Sequence, residues 1–139
     1  MADVFADAAY WIAASVPSDQ WHQAAIVARH RLGDVTLVTT DEVLTEFLTA
    51  MSSRGDDSRR LASRTVRAIL EDPNVRVIEQ SRSTFLSGLT RYEQRLDKGY
   101  SIQDCIAMNV MDSEGITQVL TSDHNFEQEG FTILMKPIS

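Results

Sequence analysis

Apolar and polar residues alternate along the chain in blocks that predict short strands separated by helices. Helical spacing of apolar residues predicts a helix from about Ala8 to Pro17 and another that begins after Asp41. Further helices are predicted over residues 18–32, 58–71, 83–97 and 101–114, and strands over 3–7, 35–40, 75–78, 118–121 and 131–134. This alternation predicts right-handed crossovers and a mostly parallel α/β sheet that is covered on both faces.

Particular residues are predicted to begin these helices and to face the core. Ser18 and Asp41 are predicted N-caps, and Ser101 with Asp104 has the spacing of a capping box. The inward face of the helices after Asp41 and over 58–71 is predicted to comprise Val43, Leu44, Phe47, Leu48, Met51, Leu61, Val66, Ile69 and Leu70.

The length and cysteine content limit the type of protein. With 139 residues, the chain fits a single domain over 1–139 that can bury a core without disulfides. Its one cysteine, Cys105, cannot form an internal bridge, and we see no signal-peptide pattern and no apolar run of membrane-spanning length. We therefore expect a soluble cytoplasmic protein that has no membrane partner.

The net charge of −7, from 20 acidic and 13 basic residues, argues against a non-specific nucleic-acid coat protein. It does not argue against an enzyme that acts on nucleic acid, because metal ions bound among carboxylates invert the local potential.

Four acidic residues are positioned to converge at one edge of the predicted sheet. Asp7 and Asp123 follow the first and fourth strands, Glu46 lies one turn into the helix after the second strand, and Asp104 lies in a first helical turn. Taken singly, Asp104 is more often a capping residue. Together, converging carboxylates require a cation, and oxygen ligands suit magnesium or manganese. Such an ion activates water, which favours phosphoester hydrolysis.

Four segments resemble the acidic motifs of PIN-domain nucleases, in the same order and at similar spacing. They read "VFADAAYWIA", "VLTEFL", "YSIQDCIAM" and "LTSDHNFEQEGFTIL". The resemblance is closest to the small single-domain members, many of which are ribonuclease toxins of VapC-type toxin–antitoxin modules. It implies a PIN-like three-layer sandwich, in which helices flank a five-stranded parallel sheet with strand order 3-2-1-4-5.

The resemblance also implies a site and its partners. Asp7, Glu46, Asp104 and Asp123 would be the catalytic carboxylates of an Mg²⁺- or Mn²⁺-dependent ribonuclease. Asp7 and Asp104 would ligate the metal directly, and Asp123 would ligate a second ion or hold water. Glu46 would be an orienting base or an acceptor outside the metal's direct ligands. The implied partners are an RNA substrate, a cognate antitoxin and a second copy of the chain.

Other residues are weaker candidates for substrate contact. Relatives often carry a hydroxyl directly after the first aspartate, where this chain has Ala8, and Thr121 and Ser122 are candidates to compensate. Arg60 and Arg64 belong to a cationic stripe that either guides RNA or is a solvated face paired with nearby acids. Aromatic residues of the first helices are predicted to be either core or a partner groove, and these are Tyr10, Trp11 and Trp21.

Alternative functions remain open at this stage. The chain could be a catalytically silent PIN-like domain that binds metal or protein, or a housekeeping RNA-processing nuclease without an antitoxin. A dehalogenase-like phosphatase is disfavoured because "ADAAY" lacks a second aspartate two residues on, and a receiver domain because "VRVIEQS" has no aspartate after the third strand.

Overall fold

A computed structural model describes residues 2–138 of the protein. Helices and strands alternate along most of the chain, as the hydrophobic pattern predicts. The order is β1 (Ala2–Ala6), α1 (Ala8–Ser15), α2 (His22–Leu32), β2 (Val35–Thr40), α3 (Asp41–Ser52), α4 (Asp56–Glu71), β3 (Val75–Ile78), α5 (Arg82–Gln94), α6 (Ile102–Glu114), β4 (Gln118–Leu120), α7 (Asn125–Gln128) and β5 (Thr132–Ile133).

The five strands form one parallel sheet in the order β3-β2-β1-β4-β5, which confirms the order that the resemblance implies. Phe5, on the central strand β1, lies opposite Val38 of β2 and Val119 of β4. All three side chains are fully buried, because helices cover both faces of a parallel sheet. The carboxyl ends of β1, β2 and β4 consequently lie at one common edge.

Several predicted boundaries and caps are wrong. Ser18 does not cap α2, which begins at His22, because the Asp19 carboxylate accepts the Trp21 N–H and holds residues 18–21 in a turn. The N-cap of α3 is Thr40 rather than Asp41, and its hydroxyl accepts the Val43 N–H at 3.1 Å. The helix predicted over 58–71 begins two residues earlier, and the one predicted over 83–97 ends at 94.

Three of the predicted inward leucines face outward instead. Leu48, Leu61 and Leu70 are 37%, 43% and 55% exposed, respectively. On α4 the buried positions are Ala62 and Ile69, which form a narrow stripe because this helix packs mainly on α3 and β3. Both leucines of α4 therefore lie on its flanks.

The aromatic residues of α1 belong to the core, which is one of the two predicted alternatives. Tyr10 and Trp11 are buried and pack edge to face, with ring centroids 5.0 Å apart, while Trp21 is half-buried against the same core. On the other side of the sheet α5 and α6 approach closely at Gly88, where a Cβ atom would lie 2.4 Å from Ile106 Cγ1. No helix within residues 2–138 combines the length and the apolar character that a membrane span requires.

Candidate active site

Four separate elements bring the predicted acidic residues to the carboxyl edge of the sheet. Asp7 joins β1 to α1, Glu46 lies on α3, Asp104 lies in the first turn of α6, and Asp123 lies between β4 and α7. Asp7, Asp104 and Asp123 each raise the pKa of Glu46, and Asp104 and Asp123 also raise that of Asp7, so the four carboxylates interact electrostatically as one cluster.

Asp7 is the most enclosed of these residues. Its side chain is only 8% exposed, and its Oδ2 atom accepts a 2.9 Å hydrogen bond from the Thr121 hydroxyl. Its backbone carbonyl accepts the N–H groups of Tyr10 and Trp11 at the start of α1. The carboxylate is therefore held by the end of β4 as well as by the chain around it.

Asp104 serves as a helix cap and as a member of the cluster. The Ser101 hydroxyl accepts the Asp104 N–H at 3.0 Å, and the Asp104 carboxylate accepts the Ser101 N–H at 3.2 Å. This reciprocal pair confirms the predicted capping box. Capping uses Oδ2 and leaves the other carboxylate oxygen available for a ligand.

Asn125 connects the carboxylates of α6 and the β4–α7 loop. Its backbone N–H donates to Asp123 Oδ1 at 2.9 Å, and its side-chain amide donates to Asp104 Oδ2 at 3.5 Å. The Thr121 hydroxyl also accepts the Asp123 N–H at 3.2 Å. The loop geometry therefore fixes Asp123 relative to both Asp7 and Asp104.

The electrostatics of the cluster favour partial protonation. Burial, reinforced by Asp104 and Asp123, raises the pKa of Asp7 to about 6, although the Thr121 hydrogen bond opposes this. Burial and the same neighbours, together with Asp7, raise the pKa of Glu46 to about 7. The pKa of Asp104 is also raised, chiefly by burial. A cation at this site would relieve the repulsion that these shifts express.

The donor set fits a hard divalent cation. Among residues 2–138, no group of three or more histidine, cysteine, aspartate or glutamate side chains is arranged to hold a metal ion. Magnesium is usually bound by one or two carboxylates and retained waters, so two carboxylates from the cluster are sufficient. Because the available donors are oxygens, the site suits magnesium or manganese better than a softer metal.

The substrate-contact candidates lie in different environments. Thr121 is fully buried, and its hydroxyl donates to the Asp7 carboxylate. Ser122 is half-buried beside it. Arg60 and Arg64 are exposed on α4, where Arg60 pairs with Asp57 at 2.8 Å.

Sequence reasoning missed two buried polar arrangements around the site. Thr39 Oγ1 donates to the Ala6 carbonyl at 2.9 Å and accepts from Trp11 Nε1 at 3.4 Å, which fixes the backbone directly before Asp7. The sequence does not single it out, because residues 35–40 contain three threonines.

The second arrangement centres on the Glu129 carboxylate, whose side chain is 7% exposed. It accepts hydrogen bonds from Arg91 Nη2 at 2.8 Å, Arg95 Nε at 3.1 Å and the Tyr100 hydroxyl at 3.1 Å. Tyr100 immediately precedes Ser101, the N-cap of α6. This network thus anchors the segment that leads into the helix carrying Asp104.

Comparison with solved structures gives two informative matches. The crystal structure of Mycobacterium tuberculosis VapC20, a sarcin–ricin loop cleaving toxin, matches with a TM-score of 0.84 and 24% identity, over 93% of this chain and 96% of that one. PAE2754 from Pyrobaculum aerophilum matches with a TM-score of 0.59 and 15% identity, over 96% of this chain and 90% of that one. No protein-family model matches the sequence, and neither does any curated protein. The structural matches extend over nearly the whole chain and confirm that it has the PIN-like α/β fold of VapC20.

Proposed function

We propose that this protein is an endoribonuclease that hydrolyses RNA phosphodiester bonds with the help of bound Mg²⁺ or Mn²⁺. The observation that carries the proposal is the cluster of Asp7, Glu46, Asp104 and Asp123, in which burial and mutual repulsion raise the pKa of Asp7 to about 6 and that of Glu46 to about 7. A cluster of that kind costs folding free energy unless a bound cation offsets it, and such clusters are typical of functional sites.

The fold supports the same proposal. VapC20, which shares the architecture at a TM-score of 0.84, is described as a toxin that cleaves the sarcin–ricin loop. Ligands of open α/β sheets bind beyond the carboxyl ends of the strands, where this cluster lies.

The residues have distinct parts in the proposed reaction. Asp7 and Asp104 would hold the metal ion, with Asp123 as a further ligand or as the holder of a water molecule. When bound, the ion would lower the pKa of water and stabilise the charge on the phosphate. Glu46, with its pKa of about 7, can accept a proton near neutral pH. Thr121 and Asn125 would keep the carboxylates in place through the hydrogen bonds described above.

We further propose that the protein is the toxin of a type II toxin–antitoxin pair, that it acts in the cytoplasm, and that it forms a homodimer. The likeness to the toxin VapC20 supports the first of these. The lone free cysteine, buried Cys105, is compatible with a reducing compartment.

The test is cleavage of mixed single-stranded and hairpin RNAs with Mn²⁺, with Mg²⁺ and with chelator. We expect metal-dependent cutting that Asp7→Asn and Asp104→Asn each reduce at least about 100-fold, because each removes a charged ligand. Asp57→Asn is the matched control, since Asp57 is an exposed aspartate on α4. Cutting that persists in chelator, or in both variants, would contradict the proposal.

A binding experiment separates catalysis from metal binding. Calorimetric titration of Mn²⁺ should give a signal that Asp7→Asn weakens and Asp57→Asn leaves unchanged. Metal binding without cleavage of any RNA would instead favour the catalytically silent alternative.

A further inference from the structure

A cleft of about 590 Å³ opens where the N-terminal ends of α3, α5 and α6 meet. The side chains that matter for its chemistry are Glu42 from α3, Arg82 and Phe85 from α5, and Gln103 from α6. Gln80, from the loop before α5, completes the polar lining.

Chain neighbours link this cleft to the acidic cluster, although none of the four carboxylates lines the cleft. Glu42 precedes Glu46 by one turn on α3, so the two lie on the same side of that helix, and Gln103 is adjacent to Asp104. The Asp41 carboxylate accepts the Gln80 N–H at 3.0 Å, which ties the loop before α5 to the start of α3. The cleft therefore lies at the same ends of α3 and α6 that carry Glu46 and Asp104.

Phe85 gives the cleft an aromatic surface that the fold itself does not use. Its side chain is 42% exposed, whereas the phenylalanines of the core are buried. The guanidinium carbon of Arg82 lies 5.9 Å from the centroid of its ring. Within residues 2–138 no carboxylate forms an ion pair with Arg82. An exposed aromatic ring beside an arginine is the kind of surface on which unpaired RNA bases stack.

The polar groups of the cleft suit the edge of a base better than they suit a phosphate. Gln80 and Gln103 supply amide donors and acceptors, and Glu42 supplies an acceptor for an exocyclic amino group. Glu42 and Arg82 carry opposite charges, so the cleft lacks the excess positive charge that recognition of a phosphate group requires.

We propose that this cleft binds one unpaired base of the RNA substrate, next to the bond that is cut, by stacking on Phe85 and Arg82. The inference rests on the proposed ribonuclease function and adds a specificity-determining subsite to it. Uracil has no amino group to offer Glu42, so it should be the base that the subsite accepts least well.

The direct test uses short single-stranded RNAs that carry 2-aminopurine at successive positions, titrated in chelator so that no cutting occurs. We expect one position to be quenched on binding to the unaltered protein. Phe85→Ala should abolish that quenching and raise Kd about tenfold, because stacking on one aromatic side chain is typically worth that much. Phe85→Leu, which keeps apolar bulk without an aromatic ring, should behave in the same way.

Leu70→Ala is the control, because Leu70 is an exposed apolar residue on α4 that does not line the cleft. It should leave both Kd and quenching unchanged. Light scattering accompanies each variant, and a change of mass in Phe85→Ala that Leu70→Ala does not share would assign the cleft to self-association and overturn the inference.

The outcomes separate the two proposals. Metal-dependent cutting, combined with unchanged Kd and quenching in Phe85→Ala and Phe85→Leu, would overturn the base subsite and leave the ribonuclease proposal intact. An unaltered protein that neither binds nor cuts any RNA would overturn both. Quenching lost in both Phe85 variants, with cutting by the unaltered protein, would support both.

Discussion

The Thr121 hydroxyl donates a 2.9 Å hydrogen bond to the Oδ2 atom of Asp7, although the two residues are 114 positions apart in the chain. Both are buried, and the bond joins the ends of β1 and β4, which are neighbours in the sheet. The same hydroxyl accepts the Asp123 N–H. One small side chain therefore sets the relative position of two of the four carboxylates.

Replacing Thr121 with valine should impair catalysis more than folding. The variant keeps the shape of the side chain but removes a hydrogen bond that lowers the pKa of Asp7. We expect kcat to fall about tenfold or more, and the acid limb of the pH–rate profile to move to higher pH, because Asp7 would then need a higher pH to ionise. The measurement is RNA cleavage in Mn²⁺ over a range of pH.

The control for this prediction is Thr121→Ser, which retains the hydroxyl. It should keep the position of the acid limb, even if the lost methyl group costs about 1 kcal/mol of stability. An unchanged profile in Thr121→Val would show that the bond to Asp7 has no part in catalysis.

The site shows which features a sequence can disclose. Ser101 and Asp104 form the predicted capping box, because a cap depends on neighbours only three residues apart. The buried environment of Thr121 depends on strand pairing between β1 and β4, and no local pattern encodes it. The Asn125 bridge to Asp104 is similarly non-local.

The hydrophobic pattern predicts the order of the helices and strands better than it predicts which helical residues are buried. Alternation of apolar and polar residues sufficed for the element order, whereas the strand order came from the resemblance to known nucleases. Leu61 and Leu70 were predicted to face inward on helical periodicity, yet they are exposed. Periodicity identifies an apolar face but not its width, and α4 buries only the narrow stripe that α3 and β3 can cover.

The metal-free protein should lose stability as pH rises, and Asp7→Asn should suppress part of that loss. Folding raises the pKa of Asp7 from 3.8 to about 6, so the folded state binds more protons than the unfolded state between those values. The stabilisation that this extra proton gives is fully present below pH 3.8 and is lost as the pH rises through about 6. At pH 8, in chelator, the ionised and buried carboxylate should cost about 3 kcal/mol, which the asparagine variant recovers.

Urea unfolding at about pH 4 and about pH 8 measures this difference. The variant should be more stable than the unaltered protein only at the higher pH, and Mn²⁺ should stabilise only the unaltered protein there. Equal stability of the two proteins at both pH values would show that the Asp7 carboxylate is not under the electrostatic strain that its environment indicates.

The cationic stripe of α4 should guide RNA toward the cluster if it has a function beyond solvation. The Arg60–Asp57 pair is exposed and contributes little to stability, so Arg60→Glu with Arg64→Glu should leave the fold intact. We expect the double variant to raise KM for RNA. The slope of log KM against log salt concentration should fall by about two, one for each lost phosphate contact. Arg31→Glu with Lys98→Glu, which changes the net charge equally at exposed positions elsewhere, is the control. Equal effects of the two double variants would sink the guidance hypothesis.

Glu129→Gln should destabilise the protein strongly, in contrast to a surface charge change. Burial would raise the pKa of the Glu129 carboxyl, but hydrogen bonds from Arg91, Tyr100 and Arg95 together lower it. The ionised carboxylate therefore stabilises the fold above the ordinary pKa of glutamate, and this stabilisation is lost as the pH falls through the lowered pKa. Neutralising Glu129 leaves the guanidinium of Arg91, whose side chain is 12% exposed, paired only with the more exposed Asp112 carboxylate. We expect a cost of about 2 kcal/mol in urea unfolding at neutral pH. Asp57→Asn, which breaks an exposed pair, should cost at most about 0.5 kcal/mol.

Because Tyr100 leads into the helix of Asp104, the Glu129 variant should also lower kcat under conditions where it remains folded. Comparable stability of the two variants would mean that the network around Glu129 is solvated in solution and does not anchor the site.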